Sequence, residues 1–93
     1  MKYIKTNTEP RVSQFLVEEK INLSDSKLLM KELATKLKSN IEWITMPEAE
    51  IGKIKLSDGE IYAKLDFEYG LELVCDGLID DEIMQIEAVL SNK

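Results

Sequence analysis

The chain is 93 residues long, with 12 Lys plus Arg against 18 Asp plus Glu, no His and a single Cys. Without His, His-based acid–base catalysis, Ser–His and Cys–His nucleophile pairs and most zinc chemistry are excluded, and the lone Cys75 has no thiol to pair with in the chain. An apolar share of 44 % beside a charged share of 32 % belongs to a globular sequence, and the length predicts one small domain over residues 1–93.

No apolar run approaches the ~20 residues of a membrane span, and Met1–Lys2–Tyr3–Ile4–Lys5 runs into polar Thr6–Asn7–Thr8 without a signal-peptide core. The expectation is therefore a cytoplasmic protein. A net charge of −6 repels phosphate backbones and anionic lipid, so neither nucleic acid nor membrane is expected as a partner; a basic protein is. The charge is uneven. Residues 1–40 carry eight basic and five acidic side chains, whereas residues 41–93 carry thirteen acidic and four basic ones, a balance of +3 against −9.

In chain order, Thr8–Glu19 fits two periods. Val12, Phe15 and Leu16 suit a helix capped by Thr8 with Pro10 in its first turn, and Ser13/Phe15/Val17 against Val12/Gln14/Leu16 suits a strand; the helix is the expectation. Ser24–Ser39 predicts an amphipathic helix with Leu29, Met30, Leu33, Ala34 and Leu37 on one face and Lys27, Lys31 and Lys38 opposite. Ser24 is its expected N-cap and Asn40 its left-handed terminator. Ile41–Met46 reads as a short strand halted by Pro47, with Trp43 either in the core or at a partner contact.

Lys53–Leu56 and Ile61–Phe67 alternate apolar with polar around Asp58–Gly59, which predicts a type I′ hairpin pairing Leu56 with Ile61, Ile54 with Ala63 and Lys53 with Lys64. A loop of Glu68–Tyr69–Gly70, with Gly70 left-handed, then sets Phe67 against Leu71, Leu65 against Leu73 and Ala63 against Cys75. Cys75 falls on the inward parity as core filler. A last helix starts at cap residue Asp80, with Asp81 and Glu82 complementing its dipole and Ile83, Ile86, Val89 and Leu90 as its apolar stripe. These elements predict an α+β, two-layer fold: an antiparallel β-meander of three to five strands with amphipathic helices packed on one face.

The outward parity of the meander gathers Tyr62, Asp66, Glu68 and Glu72, with Tyr69 at the turn and Asp76 at the end. Carboxylates interleaved with tyrosines suit a surface complementary to a basic protein, since charge steers the encounter and rigid rings supply contact area. In the expected register Asp66 lies opposite Glu72, a like-charge pair that costs stability. Asp76, Asp80, Asp81 and Glu82 match no EF-hand spacing and read as helix-cap residues, so neither metal nor cofactor is expected. The expectation is a non-catalytic binding module of the immunity-protein, antitoxin or phage-inhibitor type, using its acidic sheet face and last helix. The alternative is a homodimeric assembly module involving Val74, Met84 and Ala88.

Overall fold

The computed structural model describes residues 1–68 and 70–92. Its chain begins with a hairpin in which β1 (Tyr3–Glu9) turns at Pro10–Arg11 into β2 (Val12–Val17). This corrects the helix expected over Thr8–Glu19. As a strand, β2 drives Phe15 and Val17 to 0 % and 3 % exposure and is laddered on both sides, by β1 and by β6 (Gly70–Asp76). A helix would leave those ladder partners unpaired.

The first helix, α1 (Leu23–Lys36), is capped two residues before the expected position. Asn22, not Ser24, is its N-cap, accepting the Asp25 N–H through its side chain at 2.8 Å. Its end is a Schellman turn in which Lys38, at φ 56°, takes the left-handed position expected of Asn40. The Ser39 N–H donates to the Ala34 carbonyl and the Lys38 N–H to that of Thr35, the two bonds that satisfy a helix's last carbonyls. Strands β3 (Ile41–Thr45), β4 (Ala49–Lys55) and β5 (Glu60–Asp66) follow, then β6 and α2 (Asp80–Ser91). Ile79, not Asp80, is the N-cap of α2, and its N–H is taken by the Glu82 carboxylate at 3.0 Å.

The fold is α+β with one antiparallel sheet of six strands rather than three to five, ordered β1-β2-β6-β5-β4-β3. Strands β3 to β6 run as a meander, and the β1–β2 hairpin extends it beyond β6. One buried cluster joins Phe15, Val17, Ile54, Ile61, Ala63, Leu65, Leu71, Leu73 and Cys75 of the strands to Leu29, Met30, Leu33 and Ala34 of α1 and Ile86, Val89 and Leu90 of α2. Each large aliphatic side chain so buried contributes about 1.5–3 kcal/mol. Among the described residues, no helix is long and apolar enough to cross a membrane.

Both expected hairpin registers are displaced by two residues. Ile54 meets Ile61 and Gly52 meets Ala63 across β4–β5, while Leu65 meets Leu71, Ala63 meets Leu73 and Ile61 meets Cys75 across β5–β6. A shift by an even number keeps every side chain on its face, so the inward set survives except for Phe67, which is 52 % exposed in the turn after β5. Electrostatics favour the observed register. It sets Lys55 against Glu60 and Lys64 against Glu72, replacing the like-charged Lys53/Lys64 and Asp66/Glu72 pairs at the cost of one new like-charged pair, Glu60/Asp76; opposite charges across a ladder contribute where like charges cost. The first turn is not type I′ either. Leu56 N–H donates to the Gly59 carbonyl around Ser57–Asp58, and Gly59 has no positive φ. Gly70 does have the expected left-handed geometry, at φ 99°.

Candidate functional site

Of the residues singled out for partner contact, Tyr62 and Asp66 lie on β5, Glu72 and Asp76 on β6, and Glu68 in the turn between them; Tyr69 falls outside the described residues. The register puts Tyr62 beside Val74 and Lys53, Glu72 beside Leu16 and Lys64, and Asp76 beside Val12 and Glu60. Tyr62, Asp66, Glu72 and Asp76 share the parity opposite the buried Ile61, Ala63, Leu73 and Cys75, so one face of the sheet presents them, with Glu68 in the turn at its end.

These side chains are differently engaged. The Tyr62 hydroxyl donates to Glu60 Oε1 at 2.7 Å, Lys53 Nζ stands 3.4 Å from Glu60 Oε2, and the same ammonium lies 5.5 Å from the Tyr62 ring centroid. The bond from Tyr62, with a smaller part from Lys53, holds the Glu60 carboxyl below its ordinary range, and bonding to Glu60 raises both Lys53 and the Tyr62 hydroxyl. Tyr62 is thus fixed as a rigid platform inside a three-residue polar cluster. Glu72 Oε1 accepts from Gln14 Nε2 at 2.8 Å, and Asp66 Oδ1 accepts the Glu68 N–H at 2.8 Å, ordering the turn. Glu68 and Asp76 are exposed and make no ion pair among the described residues.

The face is more mixed than parity within the meander suggested. A single row across the sheet reads Ile4, Leu16, Glu72, Lys64, Ile51, Ile44, with Ile4, Leu16 and Ile44 at 48, 43 and 61 % exposure. A Glu–Lys pair occupies the centre of the row and apolar side chains the two edges. Ile4 was missed because polar Thr6, Asn7 and Thr8 hide the alternation of an edge strand, and Ile51 because β4 begins four residues before the expected start.

A second polar constellation lies on the other parity. Glu50 of β4, 5 % exposed, accepts from Lys27 Nζ at 2.9 Å and Thr45 Oγ1 at 3.0 Å, and its Oε2 has no partner among the described residues. Lys27 in turn stands 5.1 Å from the Trp43 ring centroid. Trp43 is half-buried over Gly52, where an added Cβ would come within 3.0 Å of its ring. Counting back from inward Ile54 through Gly52 would have placed Glu50 inside. Cys75 is buried, and that burial pushes its thiol up to about 12, which leaves little nucleophilic thiolate at neutral pH.

The hydrogen bond from Lys27, above all, holds the Glu50 carboxyl below its ordinary value of 4.5. A carboxyl lowered in the folded state contributes stability above the unfolded value and loses it as pH falls through the folded one. Lys27→Met is therefore expected to destabilise the chain at neutral pH and to cost less in acid well below the ordinary carboxyl range, where Glu50 is protonated. Urea denaturation at both pH values checks this; an equal loss at both would show that Glu50 does not sense Lys27.

Among the described residues no group of three or more Cys, Asp or Glu side chains is placed to hold a metal ion. Comparison with protein-family models, curated proteins and solved structures finds no match to this chain.

Proposed function

We propose that the chain is a non-catalytic binding module, of the immunity-protein, antitoxin or phage-inhibitor type, that occupies a basic site on another protein through the outward face of its sheet. The observation that carries this reading is the placement of Tyr62 with Glu60 and Asp66 on β5 and of Glu72 and Asp76 on β6, all on the outward parity of two central strands. Strand positions hold side chains more rigidly than loops, so less entropy is lost on contact. Exposed Ile4, Leu16 and Ile44 at the edges add apolar area to a charged centre.

The helices belong to the other side of the sheet in this reading. Their buried residues share one cluster with the inward strand residues, and Lys5–Glu87 at 3.8 Å and Lys27–Glu50 at 2.9 Å tie strands to α2 and α1. That support separates α2, with its exposed Met84, from the surface that meets the partner; the sheet face acts without it. The partner is basic, and the binding site lies in the chain's cytoplasmic setting.

Charge reversal tests the surface. Glu68→Lys, Glu72→Lys and Asp76→Lys together are expected to weaken capture of a basic host protein by about a hundredfold, since like charges facing across an interface cost several kcal/mol. Asp66 is left in place because it orders the turn. Reversal at Asp80 and Asp81, at the start of α2 and off this face, serves as control. Capture that survives the triple change, or that is insensitive to salt, would contradict the assignment; a chain that sediments as a dimer and captures nothing would favour an assembly module.

A further inference from the structure

The strand β3 is one of the two sheet edges. Met46 N–H donates to the Ala49 carbonyl at 2.8 Å, and the ladder above it pairs Thr45 with Glu50, Ile44 with Ile51 and Trp43 with Gly52. Hydrogen-bonded and non-hydrogen-bonded pairs alternate in an antiparallel ladder. Ile44 and Glu42 therefore bond to β4, while the N–H and C=O groups of Ile41, Trp43 and Thr45 point out along the free edge. The side chains of those same three residues lie on the helix side. Ile41 and Trp43, with Lys27, Leu28, Lys31 and Ala34 of α1, line a groove of about 640 Å³ beside that edge.

The two edges are not equivalent. The ladder of β1 breaks register between Asn7 and Glu9, and Lys5 sits on its inward parity, both devices that discourage added strands. The β3 ladder is regular, and its residues include Ile41, Trp43 and exposed Ile44.

We propose that β3 and α1 form a receptor for an extended acidic segment of another protein, which adds as a further strand on β3. Its backbone bonds to Ile41, Trp43 and Thr45. Residues opposite Trp43 place their side chains in the groove, because cross-strand partners share a face. An apolar residue there covers Trp43 and Ala34, and the next side chain on that face meets Lys31. Lys27 is already engaged by Glu50 and the Trp43 ring, whereas Lys31, one turn along, is exposed and has no ion pair among the described residues. Of the two lysines that line the groove, Lys31 is the one without an ion pair among the described residues. The net charge of −6 does not oppose an acidic ligand here, since charges beyond about 8 Å are largely screened at physiological salt and the basic excess lies in residues 1–40. A second copy of the chain fits poorly, because pairing on the same edge would bring the lysines of both α1 helices together.

The probe is a short fluorescent peptide in which Leu and Glu stand two residues apart with Thr between them, so that both fall on one face of the added strand, titrated into the whole chain by anisotropy, with amide exchange followed by NMR. The expected result is binding that slows exchange at Ile41, Trp43 and Thr45, and that falls about tenfold in Lys31→Glu. It is abolished when alternate peptide amides are N-methylated or when Lys replaces Glu in the peptide. Lys31 contributes only its backbone carbonyl, to Thr35 Oγ1, so Lys31→Glu keeps the fold. Absence of binding, binding indifferent to N-methylation or to Lys31→Glu, protection along β1 instead, or a β3 edge already protected by self-association would each overturn the proposal.

Discussion

Leu73→Ala is expected to lower the free energy of unfolding by about 2–5 kcal/mol, against a total of about 5–15 kcal/mol for a domain of this kind. Leu73 is fully buried on β6, with Phe15 beside it on β2 and Ala63 beside it on β5. Both neighbours are held by ladders on either side, so the walls of the cavity cannot close on the missing methyls. The cost should accordingly fall in the upper part of that range. Leu16→Ala, one residue along the neighbouring strand but 43 % exposed on the outward face, is the control and is expected to cost less than about 1 kcal/mol. Urea midpoints at constant slope measure both. Equal losses would mean that the two parities of the sheet are not buried and exposed as described.

The second large effect is expected at Gly59. A Cβ built there would stand 2.3 Å from the Asp76 carbonyl oxygen and 2.6 Å from the Gly77 carbonyl carbon. Neither atom can yield easily, since Gly77 is held at φ 74° and its N–H is bonded to the Arg11 carbonyl at 2.9 Å. Gly59→Ala should cost about 1–3 kcal/mol or more by overpacking and open the end of the sheet where the turn after β4 meets the exit of β6. Gly70 makes the contrast. It has open space around its Cβ position but φ 99°, so there the cost is backbone strain, and Gly70→Asn should be milder than Gly70→Ala because Asn tolerates left-handed geometry. At Gly59, Asn should be no better than Ala. Thermal unfolding of the four variants separates the two mechanisms; relief by Asn at Gly59 would refute the steric one.

The same two glycines show where sequence reasoning reaches and where it stops. Alternation from Ile61 to Leu65 and from Leu71 to Cys75 fixes which side chains are buried, because period-two patterning records the face of the sheet. It does not record which cross-strand partner each residue meets. Asp58–Gly59 has the composition of a type I′ turn, yet Gly59 is required for close approach to β6, and the pairings of Lys55 with Glu60 and Lys64 with Glu72 favour the observed register against the like-charged Glu60/Asp76 pair. Strand β1 was invisible for a related reason. An edge strand exposed over most of its length keeps little apolar signal, and without it β2 reads as well as a helix as a strand. The acidic residues of the proposed contact face could be found from parity alone. Their neighbours Lys53 and Lys64, and the inward pair Glu50–Lys27, required the true register and the placement of α1.

The contact face itself is most directly examined by carboxyl footprinting of the chain in complex with its captured partner, reading carbodiimide labelling by mass spectrometry. The account predicts that Glu68, Glu72 and Asp76 on the sheet side lose reactivity in the complex while Asp80 and Asp81 at the start of α2 keep theirs. Protection of Asp80 and Asp81 with Glu68, Glu72 and Asp76 still labelled would contradict it.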